Sequence, residues 1–187
     1  MSQRSSGYAR RANEDYSTPD WVTKIIAEHL IVRQRVRTIW EPAAGHGALA
    51  AALKDNGLRV IVTGGDFLAQ ITAPEPVDCI CTNPPYGDDR RGFLACEFIR
   101  HALTLAPVVA MLLRVDFDSA KGRTTLFRDC PAFAGKIVLL DRVKWFDGPS
   151  SPSDNHAWFI WNRAQKWAPW IAYAEAAPRI TAEARAA

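Results

Sequence analysis

The stretch "TIWEPAAGHGALAAALKDNGLRVIVT", Thr38 to Thr63, decides the fold. Its opening "TIW" is a short apolar run that reads as a strand, and "LRVIVT" at its end reads as a second. Between them, "ALAAALKDN" is built of good helix formers and is stopped by Gly57. Strand, Gly-rich turn, helix and strand in so short a span make a right-handed βαβ unit of an open parallel sheet. Such sheets take ligands at the carboxyl ends of their strands. Gly45 and Gly47 let the chain turn sharply there and admit a ligand close to the main chain, while the helix N-terminus offers free N–H groups. Glu41 adds a carboxylate at the strand end, able to receive an ammonium or hydroxyl group. The full GxGxxG pattern is not met, because Ala50 stands at its third position. Taken alone, the turn therefore reads either as a nucleotide-like pocket or as an ordinary tight turn, with His46 a turn residue.

Upstream, "STPDWVTKIIAEHL" reads as a helix start, with Ser17 or Thr18 as cap, Pro19 in the first turn and Asp20 at the positive end of the dipole. Val22, Ile25, Ile26, His29 and Leu30 share one helical face. Downstream, strands are expected at "VDCICT" from Val77, "VVAMLL" from Val108 and "KIVLL" from Lys136, with a helix from Gly92 to Leu105 joining the first two. "RVKWF" and "HAWFIW" flank the turn-rich "DGPSSPSDN", which predicts a terminal antiparallel hairpin on an otherwise parallel sheet. The expected organisation is a flexible basic segment over 1–15, one α/β domain over 16–165 and a tail over 166–187.

Composition narrows the function classes. A chain of 187 residues, 48% of them hydrophobic, suffices for one sizeable core. The formal charge of +3 permits a polyanionic partner without demanding one. The longest apolar stretch, "ALTLAPVVAMLLRV", is broken by Pro107 and reaches Arg114 too soon for a membrane span. The N-terminus has basic residues but no apolar segment behind them, so it is not a secretory signal and a cytoplasmic protein is expected. Cys79, Cys81, Cys96 and Cys130 form no CxxC pair, and the first two point to one face of a strand as small buried side chains. The four histidines lack metal-ligand spacing, so no metal is expected.

The chemistry-bearing stretch is "VDCICTNPPYGDDRR", Val77 to Arg91, where an apolar strand ends in an amide, two prolines and a tyrosine. A planar nitrogen, such as the exocyclic amine of adenine or a carboxamide, can be drawn into place by two oriented acceptors that also support positive charge as it is alkylated. The side-chain oxygen of Asn83 and the carbonyl of Pro84 are the candidates. Pro84 and Pro85 lock the backbone so that both acceptors point one way, and Tyr86 supplies a flat face for a π system. The same tetrapeptide could also be only a rigid turn; its place on the strand after the Gly-rich unit favours the chemical reading.

Together "YSTPDWV", "EPAAGHGAL", "GDFL", "TNPPYG", "LLRVDF" and "HAWFIW", spanning Tyr16 to Trp161, resemble the S-adenosylmethionine-dependent amino-methyltransferases, specifically the DNA adenine-N6 type often found in phages and prophages. The resemblance implies a Rossmann-like class I methyltransferase domain that uses S-adenosyl-L-methionine to methylate N6 of an adenine in DNA, either flipped from a duplex or in a single strand. It implies that Thr18 and Pro19 touch the methionine end of the cofactor, that Glu41, Ala43, Gly45 and Gly47 line its amino-acid part, and that Asp66 and Phe67 flank its adenine ring. Asn83, Pro84, Pro85 and Tyr86 would hold the target amine as the catalytic group. Trp145, Phe146 and Trp158 are the candidates for stacking on the base. Arg90 and Arg91, with Arg4, Arg10 and Arg11, are candidate phosphate contacts. The chain departs from the pattern where "RVIVTGGDFL" runs from strand directly into Asp66, so either the ribose-binding acid is missing or Asp66 serves for it. With only 1–15 before the first helix, a protein or RNA substrate domain finds little room, which favours DNA. A separate specificity subunit or a homodimer is a possible partner. Two alternatives use the same residues: methylation of a protein glutamine or an RNA guanine, and a degenerate fold acting as a nucleic-acid-binding subunit.

Overall fold

A computed structural model describes residues 17–85, 92–145 and 154–176. The basic segment 1–15, Tyr86, Arg90, Arg91 and Phe146 lie outside the described residues. The βαβ unit forms as the sequence reads: β1 (Thr38–Glu41), α2 (Ala48–Asp55) and β2 (Arg59–Val62) follow α1 (Asp20–Val32). β1 and β2 pair in parallel from Thr38↔Arg59 to Glu41↔Val62. The chain continues through β3 (Cys79–Thr82), α3 (Phe93–Leu105), β4 (Val108–Arg114), β5 (Phe133–Leu139), β6 (His156–Asn162) and β7 (Trp170–Ala174). All seven strands form one sheet in the order β2-β1-β3-β4-β6-β5-β7.

The first four strands in that order are parallel, and β6 inserts antiparallel between β4 and β5. The expected hairpin needs correction here, since β6 pairs with β5 and not with "RVKWF", whose described part, 142–145, is not a strand. The physical reason is burial. A strand flanked on both sides must be apolar on both faces, as "HAWFIW" is, whereas Arg142 and Lys144 are exposed. β5 offers seven residues to pair instead, beginning with a bulge between Phe133 and Gly135. A further strand, β7, lies within the segment read as a tail and runs parallel to β5 at the sheet's edge. Close approach is what demands glycine at 135: a Cβ there would strike the Trp170 carbonyl oxygen and ring.

Strand alternation divides the core into two faces. Cys79, Cys81, Leu112, Trp158 and Ile160 pack with α1 and α2. Ile80, Val109, Met111, Phe159 and Trp161 pack with α3 and the ring cluster of Phe67, Phe98 and Phe127. The shared face expected for Cys79 and Cys81 is thus present. The start of α1 differs from expectation: Pro19, rather than Ser17 or Thr18, is the cap residue, and no side chain bonds there. Its carbonyl accepts the amides of Val22 and Thr23 at 3.1 and 3.2 Å. The Thr18 hydroxyl is engaged elsewhere, as described below.

Candidate functional site

The carboxyl ends of β1 and β3 lie side by side, because Ile39 pairs with Cys79 and Trp40 with Ile80. Beyond β1, Gly45 and Gly47 take φ values of 51° and 83°, the left-handed region where a side chain is strained. The Gly47 amide donates to the Ala44 carbonyl at 2.7 Å, closing the turn that starts α2. Among the described residues, no heavy atom beyond its immediate neighbours lies within 4 Å of where a Gly47 Cβ would stand, so the space in front of the turn is open.

Glu41 ends β1 with a fully buried carboxyl group. Its Oε1 accepts the Ala43 amide at 3.0 Å, whereas Oε2 has no hydrogen-bond partner among the described residues. Burial pushes its pKa up to about 8; the nearby Thr82 hydroxyl and the Ala43 amide oppose part of that rise. Thr82, the last residue of β3, is also fully buried, and its hydroxyl lies beside the Glu41 carboxyl with no other partner among the described residues. A carboxyl oxygen removed from water and left unmatched is costly unless something supplies a donor. Thr82 escaped the sequence reading because it ends a run taken as wholly apolar, although it directly precedes Asn83.

Asn83 follows Thr82 and is half-buried, with Pro84 buried and Pro85 exposed. Its Nδ2 donates to the Oγ1 of buried Thr18 at 3.4 Å, which joins the segment before α1 to the tetrapeptide after β3. Thr18, Glu41, Ala43, Gly45, Gly47 and Asn83 therefore gather at one end of the sheet. Asp66 is exposed four residues after β2, and its Oδ1 accepts the Leu68 amide at 2.9 Å, capping a short 3₁₀ turn over Phe67–Ala69. Phe67 is buried, with ring centroids 5.4 Å from Trp40, 5.0 Å from Phe98 and 4.9 Å from His101, so it lies beneath the surface.

The described candidate aromatics separate clearly. Trp158 is fully buried on the α1 side and donates its Nε1–H to the Val22 carbonyl at 3.0 Å, which makes it an anchor for α1. Trp145 is half-buried and meets His156 edge-on at 5.0 Å. Arg114, at the end of β4, approaches Asp116 at 3.3 Å and Asp154 at 3.7 Å, beside a His156 whose burial lowers its pKa to about 4.

No protein-family profile matches this chain, and no curated protein matches it in sequence. Solved structures do match its shape. A candidate class I S-adenosylmethionine-dependent methyltransferase from Listeria monocytogenes superposes with a TM-score of 0.63 at 16% identity, over 96% of this chain and 72% of that one. A candidate RNA methyltransferase from Pyrococcus horikoshii gives 0.65 at 12% identity, over 82% and 89%.

The fold is that of the class I S-adenosylmethionine-dependent methyltransferases.

The modification subunit of a candidate type I restriction enzyme from Vibrio vulnificus also shares this methyltransferase fold, with a TM-score of 0.59 at 11% identity over 88% of this chain. The chain spans about half of that protein, 47% of its length. Among the described residues of the methyltransferase fold, no helix is long and apolar enough to cross a membrane, and no three His, Cys, Asp or Glu residues are grouped to hold a metal ion.

Proposed function

We propose that this chain transfers a methyl group from S-adenosylmethionine to the exocyclic N6 amine of adenine in DNA. The observation that carries the proposal is the adjacency of two unlike half-sites: a Gly-rich turn with a buried, unmatched carboxyl on β1, and Asn83-Pro84-Pro85 on the neighbouring strand β3. The residues fit the cofactor. Glu41 Oε2, beside the Thr82 hydroxyl, can take a donor such as an ammonium group, and the open space before Gly47 admits a ligand to the main chain. Thr18, Pro19, Glu41, Ala43, Gly45 and Gly47 would hold the amino-acid part, with Asp66 at the nucleoside. Bound there, the cofactor supplies an electrophilic methyl group on a sulfonium.

This chain's residues then act on the acceptor. Asn83 Oδ1 and the Pro84 carbonyl accept the amine's N–H groups and stabilise the positive charge that develops on nitrogen. The prolines hold those acceptors in place, so little reorganisation is needed in the transition state. Tyr86 would stack on the base. A DNA acceptor and a separate specificity subunit or second copy are supported by the likeness to a restriction-enzyme modification subunit; an RNA acceptor is the second reading, supported by the likeness to a candidate RNA methyltransferase.

The test is radiolabel transfer from S-adenosylmethionine to unmethylated duplex DNA, single-stranded DNA and RNA, followed by digestion to nucleosides. Label on N6-methyl-2′-deoxyadenosine from DNA is expected, and Asn83→Ala should lower kcat roughly 100-fold with cofactor affinity nearly unchanged. Label confined to RNA or to a protein glutamine overturns the acceptor, and tight cofactor binding with no transfer overturns catalysis in favour of a nucleic-acid-binding subunit.

A further inference from the structure

We infer that Thr18 is a positioning residue that orients the Asn83 carboxamide, so that its oxygen rather than its nitrogen is presented to the acceptor amine. The inference rests on the proposed methyl transfer and assigns a role that the cofactor contact alone does not give. An asparagine side chain carries a donor end and an acceptor end of nearly the same shape, so only its hydrogen bonds decide which end faces a substrate. Here the donor end, Nδ2, is directed to Thr18 Oγ1 across 65 residues of sequence. A hydroxyl that accepts this bond keeps its own hydrogen to donate elsewhere. An amide turned the other way would present N–H to an amine that needs an acceptor.

Both sides of the contact are held firmly. Pro19, immediately after Thr18, has a restricted φ of −64°, and its carbonyl accepts Val22 N, Thr23 N and, at 3.4 Å, Thr23 Oγ1. The Val22 carbonyl in turn accepts Trp158 Nε1 at 3.0 Å, tying this turn to β6 in the middle of the sheet. On the other side, Asn83 sits between the end of β3 and buried Pro84. The Thr18 hydroxyl is thus held on a fixed turn against the Asn83 side chain, in the arrangement where it accepts from Nδ2.

The test uses Thr18→Val, which keeps the shape and removes the acceptor, and Thr18→Ser, which restores it, with Thr18→Ala as a second deletion should Val disturb the fold. Side-chain amide NMR of ¹⁵N-labelled protein reads the contact directly, the Asn83 signal being assigned by its loss in Asn83→Asp. The expected result is a shifted and faster-exchanging Asn83 signal in Thr18→Val and a near-native one in Thr18→Ser. At saturating S-adenosylmethionine, where any change in cofactor affinity is removed, methyl transfer should fall about tenfold in kcat for Thr18→Val and recover in Thr18→Ser. An unchanged Asn83 signal in both Thr18→Val and Thr18→Ala overturns the inference whatever the activity. So does a loss that appears only in cofactor affinity, which would make Thr18 solely a cofactor contact. A wild type that shows the amide response but methylates no acceptor overturns the functional reading while leaving the orientation of Asn83 established.

Discussion

Glu41 is the residue at which burial and chemistry conflict most sharply. Its folded pKa of about 8 lies above the ordinary 4.5, so the folded state binds its proton more tightly than the unfolded chain does. The sign follows: the fold is most stable with respect to this group below pH 4.5, and it loses stability as pH rises toward 8, after which the penalty is constant. Glu41→Gln should remove that slope. Its denaturation free energy relative to wild type should rise between pH 5 and 8 by roughly 3 to 5 kcal/mol in chemical melts; parallel profiles would show that the carboxyl is already ionised. Asp66 poses a different question, because it serves as a cap for Leu68 and is exposed enough to meet a ligand. If it also contacts the cofactor, Asp66→Ala should weaken binding by roughly 1.5 to 3 kcal/mol in calorimetry, beyond a cap loss of about 1 kcal/mol in stability. Lost stability with full affinity would leave it only a cap.

Among the elements, β6 and β5 carry the most consequence. β6 sends Trp158 and Ile160 to one face and Phe159 and Trp161 to the other, so a single strand joins both cores. Trp161 Nε1 donates to the Leu126 carbonyl at 2.7 Å, as Trp158 Nε1 donates to Val22, which explains how two buried indoles avoid unmatched donors. β5 holds β7 only because residue 135 has no side chain to strike Trp170. Gly135→Val should therefore separate β7 or bend β5, lowering stability by about 2 kcal/mol or more, and amide exchange across 170–174 should quicken. Native exchange in β7 of the folded variant would contradict that account.

At the scale of the whole molecule, the cysteines report whether the two cores act as one. Cys79 and Cys81 are fully buried in the α1 and α2 face, and Cys96 is buried in the α3 face. Burial raises the thiol pKa of Cys79 and Cys81, which suppresses the reactive thiolate. Cys130 alone is half-exposed. Alkylation of native protein should modify Cys130, with the other three protected until global unfolding and then reacting together. If Cys96 reacted well before Cys79 and Cys81, the α3 face would open independently of the rest.

The sequence by itself determined the βαβ unit around Gly45 and Gly47 and the faces of α1 and β3, because each depends on neighbours within a few residues. Tertiary structure decided the rest. The partner of β6 could not be read locally, since β5 and "RVKWF" are both short segments ahead of the same loop, and burial on two sides chose between them. Trp158 is tied to a carbonyl 136 residues away, and Thr18 meets an amide 65 residues away. Glu41 could be named as a strand-end carboxylate from its position, but its state could not. That depends on the dielectric of the packed site and on the Thr82 hydroxyl beside it, both of which exist only once β1 and β3 have paired.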